Sequence, residues 1–164
     1  MPKKTLLKVF AVLAVLAIGF ASFTTLGGDD TVSGSAAGLP AVTGNAGEAP
    51  TITPPTGAAP TTLQTQDIIV GTGTEILPTS TLTVHYTLMA WSSGEILESS
   101  LSGGQPATFP LSGVIAGWQE GLPGAKVGGR RLLVIPPSSG YGPLAGHPLE
   151  KETLIFVVDI IAVS

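Results

Sequence analysis

The stretch SGVIAGWQEGLPG, residues 112–124, predicts a helix inside a region that otherwise favours strands. Ser112 can cap the start of this helix, and Gly121, Pro123 and Gly124 would end it. Four large apolar residues recur at the spacing that places side chains on one side of a helix: Val114, Ile115, Trp118 and Leu122.

Short β-strands are predicted on both sides of this helix. Apolar and polar residues alternate through residues 81–90, as in a strand with one face on a core. Further strands are predicted at 68–70, 95–99, 130–135 and 153–163, each bounded by turn residues. Because the last is apolar on both faces except for Asp159, we expect it in the middle of the sheet. The sequence therefore predicts a small α+β domain, a curved antiparallel sheet wrapped around one short helix.

The N-terminus carries the signature of an export segment. Three lysines lie among the first eight residues, and the 18 residues from Val9 to Leu26 follow without a charge. This pattern is typical of a signal peptide, but it also reaches the short end of what spans a bilayer. We assign residues 1–26 as a signal peptide or signal anchor, and both remain open. In either case the protein is expected outside the cytoplasm, released or membrane-anchored.

Residues 27–62 are rich in Gly, Ala, Pro and Thr and show neither helical nor strand periodicity. Such a composition buries too little apolar surface to offset chain entropy, so we expect a flexible, disordered linker. Residues 63–164 then form the folded domain. This arrangement limits contact with a membrane to the N-terminal segment, if that segment stays uncleaved.

Composition excludes several function classes. A net charge of −4 and a pI near 4.9 leave no basic surface for nucleic acid. The chain has no cysteine and two histidines, too few for a three-histidine zinc site, and we expect neither metal nor cofactor. A Ser-His-Asp triad has no supporting motif. Gly71-Thr72-Gly73 lacks the third glycine of a dinucleotide loop and is interpreted as a hairpin turn.

Aromatic and aliphatic residues are concentrated beside the predicted loops. Core packing is a sufficient explanation for Val114 or Phe156 taken alone. Tyr141 differs, because SSGYGP cannot form a central strand and leaves the ring on a loop with a hydroxyl able to donate. The set comprises Tyr86, Phe109, Val114, Ile115, Trp118, Tyr141 and Phe156.

Six blocks in this order and spacing resemble the FKBP-type peptidyl-prolyl isomerases. The similarity extends over nearly all of residues 63–164. The blocks are VHYT (84–87), GEILESS (94–100), FPLSGVIAGWQEGL (109–122), KVGGRRLLVIPP (126–137), YGPLAGHP (141–148) and TLIFVV (153–158).

This resemblance implies a five- or six-stranded antiparallel sheet around a short helix, with a shallow apolar pocket for a proline ring. It implies Trp118 as the pocket floor, with Ile115 offering a backbone N–H and Tyr141 donating to the substrate carbonyl. Because the reaction requires no proton transfer, we interpret Glu98 as an acceptor that orients either Tyr86 or the loops. The remaining pocket positions would be the walls Tyr86, Phe109, Phe156 and Leu97 and the rim Val114 and Ile115.

Three features depart from the family pattern. Leu97 and Ala107 stand where the family has aromatic rings, and Glu98 replaces the usual Asp. The loop at 149–152 is also shorter. The resemblance thus implies a monomeric isomerase for proline-containing polypeptides, with macrolides as candidate inhibitors, and the export segment indicates that it assists the folding of exported proteins. A tethered peptide-binding or chaperone module with little or no catalysis is the alternative.

Overall fold

The computed structural model of the chain describes residues 38–164. The predicted export segment, residues 1–26, lies outside the described residues, as does the first part of the predicted linker. Within residues 38–164, no helix is both long and apolar enough to cross a bilayer.

A six-stranded antiparallel sheet and one short helix make up the body of the domain, and a two-stranded ribbon precedes them. The elements are β1 (Val42–Thr43), β2 (Thr51–Ile52), β3 (Gln64–Ile69), β4 (Thr81–Ala90), β5 (Ile96–Ser99), β6 (Ala107–Pro110), α1 (Ala116–Gly121), β7 (Arg130–Ile135) and β8 (Leu154–Val163).

The large sheet has the order β3-β7-β8-β4-β5, and β6 also pairs with β4. The prediction of a central last strand is confirmed, because β8 lies between β7 and β4. A strand in this place is covered on both faces, which explains its continuous apolar run. The α+β architecture is likewise confirmed. Sequence analysis missed β6, a four-residue strand, and began β3 four residues too late.

The two faces of the sheet carry separate apolar clusters. On the inner face Leu82, Val84 and Leu88 of β4 pack with α1 into the main core. On the outer face lies a second cluster that includes Met89 and Val157. Alternation along each strand divides these two sets.

The helix begins later than predicted. Residues 111–113 form a 3-10 turn, the chain is extended at Ile115, and α1 starts at Ala116. Ser112 therefore does not cap the helix, because the extended segment separates it from the first helical turn. Gly117 and Gly121 let α1 lie directly on β7: a Cβ atom at Gly117 would come 2.5 Å from Ile135 Cγ2.

The predicted hairpin turn at residues 71–73 is wrong. β3 pairs with β7 rather than with the following strand. A Cβ atom on Gly71 would lie 2.3–2.6 Å from backbone atoms of Lys126, Val127 and Gly129, so only glycine fits. This glycine marks a close approach of two backbones.

The predicted linker is corrected over residues 38–62. Val42 and Ile52 are buried on the outer face of the sheet, where they join the second cluster. Their apolar side chains have a partner in the sheet, which the composition of the segment alone does not reveal.

Candidate active site

Four aromatic rings meet between α1 and the inner face of the sheet. Trp118 is 4% exposed, and its ring is approached edge-on by three others. The centroid distances from Trp118 are 5.8 Å to Tyr86, 5.7 Å to Phe109 and 5.3 Å to Phe156, with interplanar angles of 79–89°. The predicted floor and aromatic walls are thus brought together.

Strand register explains this convergence. Tyr86 lies on β4 and Phe156 on the adjacent β8, where Phe156 faces Leu88, two residues along β4 from Tyr86. Their ring centroids are 6.2 Å apart. Phe109 enters from the other side of β4, on β6 opposite Leu82. The three rings from the sheet therefore surround the indole of Trp118, which α1 contributes.

Glu98 is bound to Tyr86, one of the two partners expected for this carboxylate. The Tyr86 hydroxyl donates a 2.6 Å hydrogen bond to Oε1 of Glu98. Burial raises the pKa of Tyr86, and the bonded carboxylate raises it further. Burial also raises the pKa of Glu98, while the hydrogen bond from Tyr86 opposes that rise. The phenol therefore stays protonated and its hydroxyl is directed by the carboxylate.

Val114 and Ile115 lie immediately before α1. The Ile115 carbonyl accepts the N–H groups of Trp118 and Gln119, whereas its own N–H has no acceptor among residues 38–164. The Gln119 side chain donates to the Val114 carbonyl at 2.6 Å. This bond ties the rim to the helix and fixes the direction of the Ile115 peptide.

Tyr141 lies on a turn beside the ring cluster. It is buried, and burial followed by the charge of Glu98 raises its pKa to about 12. A phenol with such a pKa is a hydrogen-bond donor at neutral pH. The influence of Glu98 shows that Tyr141 and the Tyr86–Glu98 pair share one region of the site.

His147 is a residue that the sequence analysis did not select. Its ring stacks on Tyr141 with centroids 4.1 Å apart and planes 7° apart. Its Nδ1 accepts the Leu149 N–H at 3.1 Å. Burial lowers the pKa of His147, and the nearby Glu150 opposes this effect. The six-residue separation of His147 from Tyr141 in an irregular loop gave no periodic signal.

Aliphatic side chains take the places around the rings. Leu97 and Ala107 are partly buried and pack against the main core, as does Leu149 of the short loop. Leu144, which was not predicted, joins them. Leu97 thus packs on the same cluster as the rings, with an aliphatic rather than an aromatic surface.

The indole N–H of Trp118 is buried and has no hydrogen-bond acceptor in the part of the chain that the structure describes. Residues 38–164 also contain no cluster of three or more His, Asp or Glu side chains able to hold a metal ion. The site is an apolar cluster of rings with a few directed donors.

A family model described as "FKBP-type peptidyl-prolyl cis-trans isomerase" matches residues 73–161. The "Probable FK506-binding protein" of Corynebacterium glutamicum is 54% identical over 97 residues, which cover 58% of this chain and 82% of that protein. The "FK506-binding protein" of Streptomyces anulatus is 42% identical, with 62% and 86% covered.

Solved structures give the same result. FkpA from Escherichia coli aligns with a TM-score of 0.57 at 36% identity, over 62% of this chain and 48% of that one. The chain therefore spans about half the length of FkpA. A peptidyl-prolyl cis-trans isomerase from Pseudomonas syringae pv. tomato aligns with a TM-score of 0.55 at 30% identity, over 62% and 75% of the two chains.

Fold and site together define a prolyl isomerase built on a sheet wrapped around one helix. The chain belongs to the FKBP-type peptidyl-prolyl cis-trans isomerases and is an isomerase.

Proposed function

We propose that the ring cluster is the pocket in which the proline of an X-Pro bond rests while the bond rotates. Trp118 forms its floor, and Tyr86, Phe109, Phe156 and Leu97 form its walls. Val114 and Ile115 form the rim. The observation that carries this assignment is the convergence of three edge-on rings on the buried Trp118.

The pocket suits the chemistry of rotation. Turning an X-Pro amide meets a barrier of about 18–20 kcal/mol, because the twisted state gives up amide resonance. The twisted amide is also less dipolar than the planar one. An apolar chamber therefore destabilises the planar ground state more than the twisted state, and this differential binding lowers the barrier.

Two donors would orient the substrate. The Tyr141 hydroxyl, whose pKa of about 12 keeps it protonated, donates to a substrate carbonyl. The N–H of Ile115, which has no acceptor within residues 38–164, takes a second carbonyl. Glu98 directs the Tyr86 hydroxyl and transfers no proton, because rotation breaks no bond to hydrogen. The backbone on both sides of the proline is held while the amide turns.

We further propose that the protein acts as a monomer on exported polypeptides. The support is the N-terminal pattern of lysines followed by 18 uncharged residues from Val9 to Leu26. Such a segment would carry the domain out of the cytoplasm, where newly translocated chains fold. Because two relatives carry the name "FK506-binding protein", we also expect the pocket to accept a macrolide of that kind.

A second candidate is a peptide-binding or chaperone module with weak catalysis. Leu97 and Ala107 favour it, since both are aliphatic positions that pack on the core beside the rings. An aliphatic wall holds a proline ring less firmly than an aromatic one.

One experiment separates the two candidates. The cis-to-trans conversion of a short X-Pro peptide is timed with and without the full chain at micromolar concentration, and binding of an unfolded polypeptide is measured in parallel. Acceleration that rises with protein concentration supports the enzyme. Binding with conversion at the uncatalysed rate would support the chaperone module instead.

A further inference from the structure

Residues 38–62, here called the strap, lie on the face of the sheet opposite the ring cluster. The strap lies before the family-matched region, which begins at residue 73. Its strands β1 and β2 pair with each other, and Thr53 N–H donates to the Ala41 carbonyl at 2.9 Å. A ribbon of two two-residue strands is not stable by itself in water, so its order depends on the sheet beneath it.

Apolar contact supplies part of that support. Val42 and Ile52, which face each other across the ribbon, are 7% and 6% exposed. Trp91 lies in the same cluster, and its indole N–H donates to the Gly57 carbonyl at 3.3 Å. Besides Val42 and Ile52, the buried residues of this cluster are Met89, Trp91, Leu132, Val134, Ile155 and Val157.

A buried ion pair gives the contact its specificity. Arg130 is fully buried and binds Asp159 through two hydrogen bonds of 2.6 and 2.7 Å. Two further guanidinium donors reach the carbonyls of Gly44 at 3.0 Å and Glu48 at 2.6 Å. Gly47 N–H in turn donates to Asp159 at 2.8 Å. A buried pair is costly unless its remaining donors and acceptors find partners, and the strap supplies these three hydrogen bonds.

The strap contacts the reverse side of a strand that forms the pocket. Phe156 points toward Trp118, while its neighbours Ile155 and Val157 on β8 point into the cluster under the strap. A shift of β8 on the outer face therefore moves the Phe156 ring on the inner face, because a close-packed sheet transmits displacement.

We propose that the strap is a working part of the isomerase domain: docked through the Arg130–Asp159 pair and the Val42–Ile52 contact, it holds β8 so that the pocket rings keep their positions. This inference rests on the proposed pocket. The folded unit accordingly includes residues 38–62, which precede the family-matched region.

The test replaces the two buried strap residues in the full chain, V42D/I52D, and uses T43D/T51D as the matched control. Thr43 and Thr51 occupy the same two strands but are exposed. Both variants add two carboxylates to the ribbon. They differ only in the face that carries the charge: the buried face against the sheet in V42D/I52D and the exposed face in T43D/T51D. V42A/I52A serves as a milder version should the first variant fail to fold.

The chain has two tryptophans, and they report on the two faces separately. The indole N–H resonance of Trp91 follows the strap, and that of Trp118 follows the pocket. We expect V42D/I52D to shift both resonances, to lower the unfolding midpoint by roughly 10 °C, and to reduce kcat/KM roughly fivefold at a temperature where it is fully folded. In the control the two carboxylates also lie opposite each other, but on the exposed side of the ribbon. It should therefore leave the Trp118 resonance and kcat/KM unchanged and lower the unfolding midpoint much less than V42D/I52D does.

Two results would overturn the proposal. If the Trp91 resonance moves while Trp118 and kcat/KM do not, the strap is a passive cover. If V42D/I52D behaves like T43D/T51D throughout, the strap is not docked. A wild-type chain without turnover would contradict the proposed function alone, because the Trp118 resonance reads the pocket without catalysis.

Discussion

The hydroxyl of Tyr86 and the carboxylate of Glu98 are joined by a 2.6 Å hydrogen bond at the edge of the ring cluster. The bond keeps the Glu98 carboxylate beside the apolar rings. It also fixes the orientation of the Tyr86 ring, which is one of them. A pair of this kind can be tested from either partner.

Removing the donor should change the ionisation of the carboxylate. In Tyr86→Phe the ring stays but the hydrogen bond that lowers the pKa of Glu98 is lost. Burial then acts unopposed, so the carboxyl should titrate at a higher pH than in the wild type. NMR titration of the Glu98 side chain measures this. An unchanged or lower midpoint would contradict the bond in solution.

Removing the Tyr141 hydroxyl should slow turnover without unfolding the domain. One neutral hydrogen bond contributes about 0.5–1.5 kcal/mol, so Tyr141→Phe should reduce kcat/KM roughly fivefold. The peptide assay gives the rate, and circular dichroism serves as the control for folding. Wild-type kcat/KM in a folded variant would remove Tyr141 from the proposed role.

The loop that carries His147 should weaken in acid. The pKa of His147 in the folded state lies below its ordinary value of 6.5, so the folded chain binds fewer protons than the unfolded chain in this range. The contribution of neutral His147 to the free energy of unfolding is therefore complete above pH 6.5. It is lost as the pH falls through the pKa of the folded state. Protonation also removes the acceptor for the Leu149 N–H. We expect kcat/KM to fall over this range.

His147→Phe provides the matched variant for this pH dependence. It keeps a flat ring against Tyr141 but does not titrate. Its pH profile below 6.5 should therefore be flat, even though the Leu149 contact is lost at every pH. The same acid limb in the variant would assign the loss to another group.

Adding a ring at Leu97 should tighten the pocket. An aromatic contact adds about 1 kcal/mol, so Leu97→Phe should lower the Kd of a bound macrolide roughly fivefold. Ile96→Phe is the control, because the neighbouring side chain is 54% exposed and lies away from the rings. Equal gains in both variants, measured by calorimetry, would point to general hydrophobicity.

The close contact between α1 and β7 should tolerate no side chain at Gly117. An added methyl would meet Ile135 at 2.5 Å, and such overpacking costs about 1–3 kcal/mol of the free energy of unfolding. Gly103→Ala is the control, since no atom lies within 4 Å of the added carbon. Denaturant unfolding compares the two. A Gly117→Ala variant as stable as Gly103→Ala would contradict the close contact.

Sequence analysis predicted the elements in which apolar residues follow a regular pattern. Alternation from Thr81 to Leu88 marked most of β4, and a continuous apolar run placed β8 at the centre. The rings stood out because they lie beside predicted loops in a chain with 5% aromatic residues, and the family resemblance assigned them places in a pocket.

The contacts that sequence analysis missed join residues with no periodic relation. Arg130 meets Gly44 across 86 positions, and neither residue signals the other. The composition of the strap predicts a linker because it is poor in large apolar residues, yet two of them, Val42 and Ile52, are buried on the sheet. Gly71 fits a turn equally well in sequence, since a close backbone approach and a turn both require glycine.

The outer edge of β4 is shared by β5 and β6, two strands of four residues each, and β6 ends in Pro110. Short edges and a proline offer a passing chain few free backbone groups to pair with. An isomerase meets polypeptides while their own strands are unpaired. This edge would let such clients enter the pocket without adding themselves to the sheet, and so would limit co-aggregation of the enzyme with its substrates.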